Sequence, residues 1–143
     1  MAIALDSGDP TLVRDFVASG AMPTMARLVN EGAVVDTRGP MGVFVSANWP
    51  TIFTAISPDR HGYLCWDEFR EGTYEYRGTD PTMVRGETIW RRMSDAGRRV
   101  AIFDVPHTVV EELNGVMVAE WGCHDRHFGP ASSPAEQIGR AHV

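Results

Sequence analysis

Short apolar runs alternate along the chain with segments of helical periodicity. The run at residues 2–5 stops at Asp6, and a second run at 100–103 stops at Asp104. Continuous apolar runs of this length that end at polar or glycine residues are typical of buried strands. Runs of the same kind predict further strands at 33–37 and 116–119. A carboxylate that ends a strand of an α/β sheet lies at the edge where ligands bind.

Between these runs, apolar residues recur three or four positions apart, as on one face of a helix. Asp9 and Pro10 predict the start of a first helix, because aspartate caps helices and proline suits their first position. A second helix is predicted from Pro23 to the stop at Gly32, and a third over 88–96. A short helix is predicted at 106–113, and a hairpin at 63–79.

Strands that alternate with helices predict an α/β fold with a doubly wound, mainly parallel sheet flanked by helices. With 143 residues, the chain is about one domain long. We expect residues 1–137 to be the N-terminal part of one such domain and 138–143 to be a non-native tail. The tail sequence Ile-Gly-Arg-Ala-His-Val resembles a translated sequencing adapter, and the alternative is a helix that starts after Pro134.

Composition narrows the possible partners. The formal net charge of −6 argues against binding of a nucleic acid duplex, although a small phosphate-bearing substrate is compatible if a metal supplies positive charge. Cys65 and Cys123 belong to no Cys-x-x-Cys pair, which predicts free thiols. No apolar run has the length of a membrane span, so we expect a cytoplasmic protein that binds no membrane, with Met1 as a possible internal start. Nothing in the sequence indicates the oligomeric state.

The segment 45–62 carries the chemistry that the residues suggest. Small and hydroxylated residues precede Pro50, a pattern that predicts a loop turning into a helix. A metal held by Asp6 near this helix, with the Ser46 hydroxyl as nucleophile and Asn48 beside it, would suit phosphoryl transfer. The alternative is an ordinary capped helix that binds nothing.

Several motifs, in their order and spacing, resemble the type I phosphodiesterase and nucleotide pyrophosphatase group of the alkaline phosphatase superfamily. They cover nearly the whole chain: residues 3–10, residues 20–28 with Gly32, Trp49-Pro50-Thr51 with Thr54, Pro58 and His61-Gly62, Thr88-Ile89-Trp90, Ala96-Gly97, and Asp104-Val105-Pro106. The resemblance implies a sheet flanked by helices, two divalent metal ions, usually zinc, and hydrolysis of a small phosphate ester through a covalent phospho-enzyme.

The same resemblance assigns roles to particular residues. Asp6 matches the first metal-binding aspartate of the group, and Asn48 matches an asparagine that contacts the phosphate. The nucleophile of the group aligns with Val45, and Ser46 follows one residue later. The protein is therefore a hydrolase that uses Ser46, a hydrolase that uses water, or a non-catalytic binding relative. A sulfatase is disfavoured because its formylglycine motif is absent around Cys65.

Other polar residues have simpler interpretations. We expect His61 to satisfy backbone groups of a tight turn, Asp104 to cap a strand end, and the arginines to form a solvated face: Arg91, Arg92, Arg98 and Arg99. The cluster at 123–127 has residue types that suit zinc, but a polar loop is favoured because neighbouring side chains of an extended loop point apart. The remaining metal ligands of the group have no counterparts here, so we expect this chain alone to be inactive.

Overall fold

The computed structural model of the chain describes residues 1–122 and 126–135. These residues divide into two compact units, one from 1 to 38 and the other from 39 onward. Within the described ranges, no helix has both the length and the apolar character that a membrane crossing requires. The predicted tail at 138–143 lies outside the described residues.

The first unit contains two helices, α1 (Pro10–Ala18) and α2 (Pro23–Glu31). Asp9 caps α1, and its Oδ1 atom accepts hydrogen bonds from the backbone N–H groups of Thr11 at 2.7 Å and Leu12 at 2.9 Å. Gly32 follows the last residue of α2. Both predicted helices of this unit are therefore confirmed.

The two strands predicted in the first unit are wrong, because residues 2–5 and 33–37 form no strand. Ile3 and Val35 are 74% and 78% exposed. A strand needs a neighbour for its backbone hydrogen bonds, and neither segment is paired with one. An apolar composition alone therefore does not make these two segments adopt a strand conformation.

The second unit begins with helical segments and a hairpin. A 3₁₀ turn (Val45–Ala47) leads into α3 (Asn48–Thr54), and α4 (Pro58–His61) follows. Strands β1 (Asp67–Phe69) and β2 (Tyr76–Gly78) pair antiparallel, which confirms the predicted hairpin. The remaining elements are a 3₁₀ turn at Pro81–Met83, α5 (Ile89–Asp95), β3 (Val100–Phe103), β4 (Gly115–Ala119) and β5 (Ala131–Ser133).

Strands β3, β4 and β5 form a mixed sheet in that order within the described ranges. The β3–β4 pair is parallel and the β4–β5 pair is antiparallel. Gly115 is required where β4 meets β3, since a Cβ atom there would lie 1.8 Å from the carbonyl oxygen of Val100. Helices together with these sheets make the protein a mixed α/β structure, as predicted.

The helix predicted at 106–113 is wrong, because this connection between β3 and β4 is a turn followed by irregular chain. Asp104 and His107 have φ angles of 52° and 58°. Residues in the left-handed region do not continue a right-handed helix. The parallel strands are therefore joined without a helix.

The core of the second unit lies where α3, α5 and β4 meet. It is built on Phe53, Trp90 and Met117, which are at most 4% exposed. The indole N–H of Trp90 donates to Glu111 Oε1 at 2.6 Å, and Arg91 Nε donates to Glu111 Oε2 at 3.0 Å. Arg91 is thus part of a half-buried ion pair, and its predicted place on a solvated face is wrong.

Candidate functional site

The segment 44–54 combines a tight turn with a short helix. The backbone N–H of Ala47 donates to the carbonyl of Phe44 at 3.0 Å, and the N–H of Asn48 donates to Val45, so the turn runs directly into α3. Pro50 lies in the first turn of α3, where helical N–H groups have no partner within the helix. The predicted loop-to-helix transition is confirmed.

Ser46 lies inside this turn and is only 6% exposed. Of all buried side-chain nitrogen and oxygen atoms in the part of the chain that the structure describes, Ser46 Oγ alone has no hydrogen-bond partner. A buried polar group without a partner costs about 1–3 kcal/mol, and such groups are rare in native proteins. The hydroxyl predicted as nucleophile is therefore held at an energetic cost.

Val45 precedes Ser46 and presents a different surface. Its side chain is 67% exposed. Adjacent residues of the turn thus place an apolar side chain in solvent and a hydroxyl in the interior.

Asn48 is half-buried at the start of α3, next to the backbone of Gly39. A Cβ atom at Gly39 would lie 3.0 Å from Asn48 Oδ1. Glycine at position 39 therefore leaves room for the amide of Asn48. Ser46 and Asn48 lie close together because one turn and one helix carry them both.

Asp6 belongs to the first unit and lies in a turn rather than at the end of a strand. Its carboxylate is exposed, and Oδ2 accepts a hydrogen bond from Ser7 Oγ at 3.3 Å. The sequence predicts a common site for Asp6, Ser46 and Asn48. The structure brings together the last two, whereas Asp6 belongs to the other unit.

The residues of the described ranges do not form a complete site for a divalent metal. Within those ranges, no group of three or more His, Cys, Asp or Glu side chains could hold an ion. Asp6 offers one carboxylate, whereas zinc sites in proteins have three or four protein ligands. The donor set that is described thus does not fit a zinc centre by itself.

The cluster at 123–127 is described only in part, because residues 123–125 lie outside the described ranges. Arg126 donates from a guanidinium nitrogen to the carbonyl of Trp121 at 2.6 Å. The N–H of His127 donates to Glu120 Oε1 at 2.8 Å. These two residues therefore take part in loop contacts.

His61 is completely buried at the end of α4. Its Nδ1 atom accepts a hydrogen bond from the N–H of Tyr63 at 3.1 Å, which confirms the predicted role of satisfying backbone in a tight turn. Its Nε2 atom lies 3.0 Å from Thr51 Oγ1. Burial lowers the pKa of His61, because desolvation disfavours the charged imidazolium, while the nearby Asp59 carboxylate opposes this effect.

Asp104 caps the loop that follows β4. Its two carboxylate oxygens accept the N–H groups of Trp121 and Gly122, each at 2.9 Å. The predicted capping role is confirmed, although the capped groups are distant in sequence.

Glu120 is a buried carboxylate that sequence reasoning missed. It is 6% exposed and accepts three backbone N–H groups, those of His127, Phe128 and Gly129, at 2.6–2.8 Å. It directly follows the apolar run at 116–119, as Asp6 and Asp104 follow the runs at 2–5 and 100–103. A carboxylate at the end of an apolar run is therefore the sequence signal that indicates Glu120.

Comparison with known proteins gives one family. The family model of type I phosphodiesterases and nucleotide pyrophosphatases matches residues 1–135. No curated protein and no solved structure matches the chain at a significant level. The family match extends over both units.

Proposed function

Because the chain belongs to the type I phosphodiesterase/nucleotide pyrophosphatase family, we propose that it forms part of a metal-dependent hydrolase of phosphate esters. Ser46 is the proposed nucleophile, and the Asn48 amide is the proposed contact to the phosphate. The observation that carries this assignment is the buried Ser46 hydroxyl without a hydrogen-bond partner. Buried polar groups without a partner are rare in native proteins, and a catalytic role is one physical reason for retaining such a group.

The chemistry of this proposal begins at Ser46 Oγ. The oxygen bonds to phosphorus and gives up its proton while the bond from phosphorus to the ester oxygen breaks and the leaving alcohol takes up a proton. Water then hydrolyses the phosphoserine, its oxygen staying on phosphorus and a proton returning to Ser46 Oγ. Because Ser46 is only 6% exposed, the proposal requires a local movement that gives substrate access to its side chain. Asn48 lies two positions after Ser46 in the chain. In the proposal, its side-chain amide donates a hydrogen bond to a phosphate oxygen.

The proposal includes two divalent metal ions, with zinc as the expected ion and Asp6 as one ligand. The described residues do not complete a metal site, so the other ligands have to come from residues outside the described ranges. Bound there, such ions would supply positive charge that stabilises the negative charge of the phosphate, with Asp6 as one residue that would hold them. For this reason we propose that the 143-residue chain alone does not turn over substrate.

The wider assignment follows the family. We propose that the chain contributes to an alkaline phosphatase-like domain with a doubly wound, mainly parallel sheet. The partner is a small phosphate ester in the cytoplasm rather than a nucleic acid duplex, in keeping with the net charge of −6. Neither a membrane nor a particular oligomeric state is part of the proposal.

Hydrolysis of bis(p-nitrophenyl) phosphate tests the function. We expect turnover with added zinc by a longer natural protein that contains this sequence, and none by the 143-residue chain. Ser46→Ala in the longer protein should lower kcat by about a thousandfold or more, the range found when an enzyme loses its nucleophile. Ser132→Ala, at a strand residue whose hydroxyl donates to the carbonyl of Pro134, is the matched control.

The results separate the hypotheses. Unchanged hydrolysis by Ser46→Ala would exclude serine as the nucleophile and favour attack by water. Turnover by the 143-residue chain itself would contradict the proposed dependence on further residues.

A second candidate is a non-catalytic binding relative of the same fold. It is favoured by Val45, which occupies the position where the family resemblance places a nucleophile and whose side chain is 67% exposed. This candidate predicts binding of a phosphate ester without turnover in the longer protein. Calorimetric titration with a non-hydrolysable thiophosphate ester, combined with the hydrolysis assay, distinguishes it from the first.

A further inference from the structure

A chain of hydrogen bonds connects His61 to the Ser46 turn. His61 Nε2 lies 3.0 Å from Thr51 Oγ1, and Thr51 Oγ1 lies 2.8 Å from the carbonyl oxygen of Ala47. On its other side, His61 Nδ1 accepts from the N–H of Tyr63 at 3.1 Å. The imidazole therefore links the chain after α4 to the residue adjacent to Ser46.

The direction of each hydrogen bond follows from the available protons. Thr51 has a single hydroxyl proton, and the Ala47 carbonyl can only accept it. His61 Nε2 therefore donates to Thr51, and Nδ1, which accepts from a backbone N–H, carries no proton. The network fits one form of His61, the neutral imidazole protonated at Nε2.

A second backbone connection holds the other side of the turn. The N–H of Phe44 donates to the carbonyl of Leu64 at 3.0 Å, and the carbonyl of Phe44 accepts from Ala47 at 3.0 Å. Gly62, with a φ angle of 81°, lets the chain reverse between His61 and Leu64. The turn that contains Ser46 is thus fixed at both ends to the same segment, 61–64.

We propose that His61 and Thr51 are positioning residues that hold the Ala47 carbonyl and thereby orient Ser46 Oγ for attack. This inference rests on the proposed function of Ser46. Neither side chain touches the substrate in this role; both act through the backbone of the turn. Small errors in the position of a reacting group lower kcat strongly, so loss of the network should reduce turnover while substrate binding persists.

Substitutions at Thr51 separate hydrogen bonding from packing. Thr51→Val keeps the shape but removes the hydroxyl, whereas Thr51→Ser keeps the hydroxyl but removes the methyl group. In the longer natural protein, we expect Thr51→Val to lower kcat for bis(p-nitrophenyl) phosphate about tenfold or more with KM within about twofold, and Thr51→Ser to be much less affected. A role limited to filling space predicts the opposite order.

Thr73→Val is the control. Its hydroxyl also donates to a carbonyl, that of Arg70, at 3.0 Å, but it lies in the exposed turn of the hairpin. Its kcat should equal that of the parent protein. Equal kcat for the parent and Thr51→Val would overturn the inference.

Nuclear magnetic resonance of the same protein gives a second readout that does not depend on turnover. The imidazole nitrogen shifts should identify the neutral form of His61 protonated at Nε2, and Thr51→Val should accelerate amide hydrogen exchange at 46–48 more than in the hairpin. If the parent hydrolyses no ester, the proposed function fails, and this measurement still decides whether His61 and Thr51 hold the turn that contains Ser46. A proton at Nδ1, or unchanged exchange at 46–48, would refute it.

Discussion

At the scale of single residues, the burial of His61 makes stability depend on pH. Folding lowers the pKa of this histidine below its usual value of 6.5 because burial disfavours the charged ring. Between the lowered value and about 6.5, the unfolded chain binds more protons at this site than the folded chain. The contribution of neutral His61 to the free energy of unfolding is therefore fully present above about pH 6.5. It is lost as the pH falls from about 6.5 to the lowered pKa of the folded state.

Thermal unfolding at about pH 7.5 and about pH 5.5 tests this prediction. The melting temperature should be lower at the acidic pH, and the loss should be smaller in His61→Gln, whose side chain does not titrate. The difference in pH dependence between parent and variant is the informative quantity, because it isolates the contribution of His61. An identical pH dependence in both would show that folding does not shift the pKa of His61.

At the scale of secondary structure elements, Glu120 connects the end of β4 to the loop at 126–129. Its carboxylate is an acceptor for three N–H groups of that loop at 2.6–2.8 Å. In Glu120→Gln, the amide nitrogen is a donor and cannot accept from a backbone N–H. We expect the substitution to lower the free energy of unfolding by about 1–3 kcal/mol.

Denaturant unfolding measures that loss, with the exposed Glu112→Gln as the control for removal of one negative charge. The control should change stability by no more than about 0.5 kcal/mol. If both substitutions have the same small effect, the hydrogen bonds of Glu120 do not stabilise the loop.

The elements also show which sequence patterns were informative. Helix α1 was predictable because a capping aspartate, a proline and an apolar face coincide, and the hairpin because aromatic runs flank a glycine turn. The strands predicted at 2–5 and 33–37 failed because a strand depends on a partner that local sequence does not specify. Strand β5 (Ala131–Ser133) was missed for the converse reason, since a partner, β4, stabilises a segment with little apolar character.

Some features of the candidate site were likewise predictable from local sequence, and others were not. The proximity of Ser46 and Asn48 was predictable because only Ala47 lies between them, and the turn contact of His61 followed from its spacing to Gly62. The missing partner of Ser46 Oγ and the contact between His61 and Thr51 depend on packing between segments. No local pattern encodes such contacts.

At the scale of the whole molecule, the first unit has little core of its own. All of residues 1–38 are described, and none of their side chains is buried. Leu12, Phe16 and Leu28 are 47–57% exposed. Helices of nine residues are marginal in water when no core supports them. We therefore expect α1 and α2 to open more readily than the elements of the second unit.

Amide hydrogen exchange followed by mass spectrometry measures this difference. Peptides from 10–31 should exchange faster than peptides that contain β3 and β4, whose strands carry the buried Val100 and Met117. Exchange from partly unfolded states reflects the free energy of local opening, which is small where few apolar groups are buried. Protection in α1 and α2 equal to that in β3 and β4 would show that a partner or another part of the protein covers the apolar face of these helices.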